Sequence, residues 1–107
     1  GVREVLTMID TLTFNHLHFV IGVVRDKDPA AVLSLLPKYA TYYFCQAAIP
    51  RALPADELRK NAEAFALQGA AYHTVADAIA AARLAAKPDD LIFIGGSTFV
   101  VAEIEGL

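Results

Sequence analysis

The feature that most narrows the fold is an alternation along the chain. Short, nearly continuous apolar runs are separated by stretches with helical spacing. Leu17–Val24 is rich in β-branched and aromatic residues and too short for a typical helix. A run that is apolar at successive positions suits a strand covered on both faces, as in a parallel sheet. Ala40–Cys45 reads as a second strand, Ala70–His73 as a short third and Leu91–Ile94 as a fourth.

Helix signals fill the intervals. Val2, Val5, Leu6, Ile9 and Leu12 recur at spacings of three and four, which predicts an amphipathic helix over 2–12. Asp28 and Pro29 supply a cap and a first-turn proline for a second helix, which Pro37 stops. Pro54 starts a third, with Leu58, Ala62 and Phe65 as its apolar stripe and Gly69 as its stop. Thr74 with Asp77 resembles a capping box for an alanine-rich helix to Ala86. Ser97 as a cap favours a last helix over 98–104. The expected fold class is α/β: three-layer and Rossmann-like, a mostly parallel sheet with helices on both faces. The expected strand order is 3-2-1-4.

At 107 residues the chain is expected to form one domain, residues 1–107. Hydrophobic residues make up 56% and charged residues 20%, which excludes a disordered segment. The net charge of −3 offers no basic footprint for nucleic acid. No apolar run approaches the ~20 residues of a membrane span. The single cysteine, Cys45, cannot form an internal disulfide, and a cytoplasmic setting is expected. The chain opens on a helix where such folds open on a strand, so it reads as a piece of a larger protein.

The predicted order places a reversal of winding between strands 1 and 4, and ligands bind where strand C-termini flank such a reversal. Two loops should meet there: Arg25, Asp26, Lys27 and Asp28 after strand 1, and Gly95, Gly96, Ser97 and Thr98 after strand 4. Both precede helix N-termini, whose unbonded N–H groups attract anions. Lys27 reads either as a point charge for a carboxylate or phosphate or as a solvated loop lysine. Asp28 reads first as a helix cap. Asp26 either orients Lys27 or faces water. The two glycines with Ser97 permit close approach of backbone to an anion, or form only a tight turn. Arg51 opens on the same edge and reads as a surface or a ligand arginine. His16 and His18 could share one side of a strand, but no third ligand has suitable spacing, so no metal is expected in this segment. His73 and Cys45 read as structural.

At these loops the sequence resembles the C-terminal, glutamate ligase domain of folylpolyglutamate synthase/dihydrofolate synthase, a branch of the Mur ligase superfamily. The matching pieces are Gly22 through Asp28, with the pattern Gly-x-x-x-Asp-Lys-Asp, then Ile49, Pro50, Arg51 and Ala52, and finally Leu91 through Ser97. The resemblance covers essentially the whole chain. It implies ATP-dependent amide formation between a pteroate or folate carboxylate and the amino group of L-glutamate, through an acyl phosphate. By position it implies Lys27 and Ser97 as residues that hold the incoming amino acid, with Arg51 beside them and Asp26, Asp28, Gly95, Gly96 and Thr98 forming the loops. It implies that ATP and Mg2+ are bound mainly by a central ATPase domain absent from this segment, and that no catalytic residue lies here. The hinge motif of the family would end just before Gly1. The segment alone is therefore expected to be inactive. The alternatives are a free-standing Rossmann-like anion-binding module and a dimerisation domain built on the alanine-rich helix.

Overall fold

The computed structural model describes residues 7, 9–26 and 28–95. Four parallel strands form one sheet in the order β3-β2-β1-β4. They are β1 (Leu17–Ile21), β2 (Thr41–Phe44), β3 (Gln68–Ala71) and β4 (Leu91–Gly95). The helices between them are α1 (Pro29–Leu33), α2 (Ala55–Glu63) and α3 (Val75–Ala85). The expected α/β class and the 3-2-1-4 order are both observed.

Every residue of β1 is buried. Its side chains alternate between two cores. Leu17, Phe19 and Ile21 face α1 and α2, where they meet Leu33, Leu58, Ala62 and the β2 residues Tyr42 and Phe44. Val20 faces the other way, toward Tyr43, Cys45 and the α3 residues Val75, Ala78, Ile79 and Ala82. Phe19 stacks on its β2 neighbour Tyr42 at 5.5 Å and packs on its β4 neighbour Phe93 at 5.2 Å. Such rows of aromatic rings tie adjacent strands beyond their backbone ladders. The Tyr42 hydroxyl donates to the Pro37 carbonyl at 2.6 Å, and burial holds its pKa well above the ordinary tyrosine range.

The caps follow local chemistry. Asp28 Oδ1 accepts from the Ala30 amide at 3.1 Å, and Thr74 Oγ1 accepts from the Asp77 amide at 3.0 Å. Pro54 has no side-chain oxygen to offer at the start of α2. Gln46, reaching from the loop after β2, accepts from the Ala55 amide at 2.9 Å instead.

Several boundaries differ from the sequence reading. β1 stops at Ile21, because Val24 leaves the sheet to form an antiparallel bridge with Ala52. β2 loses Ala40 and Cys45 from its ends, and β4 gains Gly95. α1 ends at Leu33 rather than at Pro37; Ser34 Oγ bonds the Ala31 carbonyl at 2.9 Å as the chain turns away. Gly69 is not the stop of α2. Ala66 takes the left-handed turn at φ 59°, and Gly69 lies inside β3, which runs from Gln68 and not from Ala70. Gly69 pairs with Tyr42, and a β-carbon there would collide with the Tyr42 carbonyl. Of the expected first helix, residues 1–6 and 8 lie outside the described residues, as does the expected helix over 98–104. Ile9 is helical and belongs to the core.

Two substitutions test this packing. Leu58→Ala removes a fully buried side chain and should cost about 2–5 kcal/mol in denaturant unfolding. Gly69→Ala should cost about 1–3 kcal/mol by forcing β3 away from β2, although it adds one methyl group to an exposed strand.

Candidate functional site

The register of the sheet sets the site. Ile21 pairs with Gly95 across β1 and β4, so the loops that follow these two strands start side by side. The Cys45 amide bonds the Ile21 carbonyl at 2.9 Å, which brings the loop after β2 to the same edge. That edge lies at the reversal of winding between β1 and β4, as the strand order requires.

The loops after β1 and β2 are stitched together. The Val24–Ala52 bridge is flanked by two backbone bonds: Leu53 N–H to the Val23 carbonyl at 3.0 Å and Arg25 N–H to the Arg51 carbonyl at 2.7 Å. Arg25 Nε donates to the Ala52 carbonyl at 3.3 Å. Arg51 Nη2 donates to Asp26 Oδ2 in an ion pair whose side chains are both more than half exposed. The structure therefore joins Asp26 to Arg51, uses Asp28 as a cap and sets Gly95 at the end of β4. Lys27, Gly96, Ser97 and Thr98 lie outside the described residues. The helix that Asp28 caps has only five residues, so its dipole at this edge is that of little more than one turn.

Cys45 is fully buried, with its thiol directed at the Ile21 carbonyl at 3.5 Å, which suits a small core residue and not a nucleophile. Among the described residues no group of three His, Cys, Asp or Glu side chains could hold a metal ion. No helix among them is long and apolar enough to cross a membrane.

Sequence reasoning missed a polar cluster at the opposite edge. His18 is buried between two partners: Nδ1 lies 2.8 Å from the Tyr43 hydroxyl and Nε2 lies 2.8 Å from Asp90 Oδ2. The Lys87 amide donates to the same Asp90 oxygen at 3.0 Å. That amide, then the His18 ring, holds the Asp90 carboxyl below the ordinary aspartate range. An ionised carboxylate only accepts, so His18 Nε2 is the donor. Burial, with Tyr72 and Asp90 nearby, raises the pKa of Tyr43, so its hydroxyl keeps a proton to give Nδ1. His16 is engaged by Thr41 Oγ1 at 2.7 Å. Both histidines thus serve the sheet. The signal in the sequence was a histidine inside an otherwise apolar strand, but its partner is 72 residues away. Beside this cluster a cavity of about 580 Å³ opens between residues 12–15 and 88–91. Asp90 Oδ1 is buried without a hydrogen-bond partner among the described residues.

Four parallel strands with helices packed on both faces define an α/β domain. Residues 1–98 match the family described as Mur ligase, glutamate ligase domain, and the chain belongs to that family. It is 37% identical over 103 residues to a probable bifunctional folylpolyglutamate synthase/dihydropteroate synthase of Haloferax volcanii, a match covering 94% of this chain. It is 35% identical over 108 residues to the protein of the same description from Halobacterium salinarum, covering 96% of this chain. The chain spans only 12% of the length of each of these relatives. Among solved structures it superposes on E. coli FolC in complex with DHPP and ADP with a TM-score of 0.87 and 27% identity, over 98% of this chain and 25% of that one.

The polar cluster carries a pH dependence. The folded-state pKa of Asp90 is depressed, so its contribution to stability is complete at neutral pH, above the unfolded value, and is lost as pH falls through the folded one. Asp90→Asn should lower the melting temperature at about pH 7, and the gap to the parent chain should close at a pH well below ~4, where the unfolded carboxyl is already protonated. Circular dichroism melts across this range measure both.

Proposed function

We propose that the chain is the C-terminal domain of an ATP-dependent carboxylate–amine ligase that joins L-glutamate to a pteroate or folate carboxylate. The observation that carries the reading is the pairing of Ile21 with Gly95, which sets the C-terminal ends of β1 and β4 side by side. Membership of the glutamate ligase family and the names of the halophile relatives support the same reaction class.

In this reading the domain is one folding unit that works with a central ATPase domain. ATP passes its terminal phosphoryl group to the folate carboxylate. The glutamate amine attacks the acyl phosphate, the C–N bond forms, and phosphate leaves. Mg2+ and most nucleotide contacts are assigned to the other domain, as the family resemblance implies. Lys27 pairs with a glutamate carboxylate, and Ser97 hydrogen-bonds the amino acid from the opposite loop. Gly95, Gly96 and Thr98 give the backbone room to approach. Arg25 and Arg51 hold the local potential positive, and closure against the central domain excludes water from the acyl phosphate. The enzyme is assigned to the cytoplasm.

Glutamate should bind this chain weakly, with Kd of about 1 mM or above, because most contacts of the reaction lie on the other domain. NMR shifts confined to the amides of 22–28, 51 and 95–98 are expected; shifts at the cavity beside Asp90 instead would refute the placement. In the full-length ligase, Lys27→Ala should raise the glutamate KM at least about tenfold with the melting temperature unchanged, the loss of one charge-assisted contact.

A further inference from the structure

The cavity of about 580 Å³ lies at the N-terminal ends of β1 and β4, opposite the edge where the charged loops gather. Its size is that of a small-molecule site, and its walls are of two kinds. Leu12, Phe14 and Leu91 supply apolar surface, and Leu12 is left exposed. Asn15, Asp89 and Asp90 supply polar groups. No basic side chain is among the described residues that line it.

The Asp90 charge on this wall is not neutralised by its neighbours. Its Oδ2 takes bonds from the Lys87 amide and from His18, an imidazole that accepts from the Tyr43 hydroxyl at its other nitrogen. These donors keep the carboxyl ionised without opposing its charge. The side chain is only 4% exposed, and Oδ1 has no hydrogen-bond partner among the described residues. The Asn15 side chain helps to hold the carboxyl ionised but completes no bond to Oδ1. A buried anion with one oxygen undonated is costly, and a positive charge brought beside it relieves that cost. Asp89, exposed on the same wall, adds a second negative charge.

We propose that this cavity binds a small organic cation, with an ammonium or amidinium group drawn to Asp89 and Asp90 and an apolar body covering Leu12, Phe14 and Leu91. The proposal does not depend on the ligase reading.

The test is an NMR titration of this chain with benzylammonium, beside benzyl alcohol and phenylacetate, which carry the same ring with no charge and with a negative one. Benzylammonium should shift the amides of 12–15 and 89–91 with a Kd of about 1–10 mM, as one charge and one ring allow. Benzyl alcohol should bind at least about fivefold more weakly, and phenylacetate not at all. Asp89→Asn is the variant of choice, because Asp90 also anchors the turn. It should weaken benzylammonium at least about threefold with the melting temperature unchanged, and about 0.5 M salt should do the same to the parent chain. Equal binding of benzyl alcohol would reduce the cavity to an apolar dent and overturn the proposal. So would shifts elsewhere, no shift up to about 20 mM, or an undiminished affinity in Asp89→Asn at low salt.

Discussion

The structure depends on β1 being out of water on both faces and hydrogen-bonded on both edges. A strand so placed has no exposed side on which a register error could be accommodated, since a slip of one residue would exchange its two cores. Phe19 and Val20 cannot trade places, because one faces the aromatic rows above α1 and α2 and the other the small-residue surface of α3. From that fixed strand, the parallel pairings bring the C-terminal ends of β1, β2 and β4 to one edge. The position of the candidate site is thus a consequence of core packing and not of any property of the loops themselves.

The polar cluster at the other edge completes this control. The turn before β4 is held by the His18–Asp90 contact and by backbone bonds from Asn15 to Asp89 and from Leu91 to His16, each 2.9 Å. A buried histidine between a tyrosine and a carboxylate costs desolvation, and its geometry admits one alignment of β4 against β1. In the same register that sets Asp90 against His18, Gly95 lies beside Ile21 at the far end.

The loops themselves are held differently. They are joined by a short antiparallel bridge, backbone hydrogen bonds and an exposed ion pair, above the buried side chains of Val23, Val24, Cys45, Ala47, Ala52 and Leu53. Contacts of this kind are weak individually and can be remade. The rigid sheet supplies position; the loops supply adaptable charge.

Much of this was legible beforehand. Strand and helix types follow from apolar spacing, and the Asp28 and Thr74 caps from short-range hydrogen bonding, so each could be read within a few residues. Strand order followed from the handedness of crossovers. The ends of elements were less legible: Val24 and Gly69 were misread because each answers to a distant backbone, Ala52 in one case and Tyr42 in the other. The chain's order of residues by itself determined the alternating architecture and the edge at which charged loops gather, because both depend on local periodicity and chirality. Only the tertiary structure decided which charges meet. Asp26 finds Arg51 across 25 positions and His18 finds Asp90 across 72, and no local rule connects groups that are brought together by the packing of separate strands.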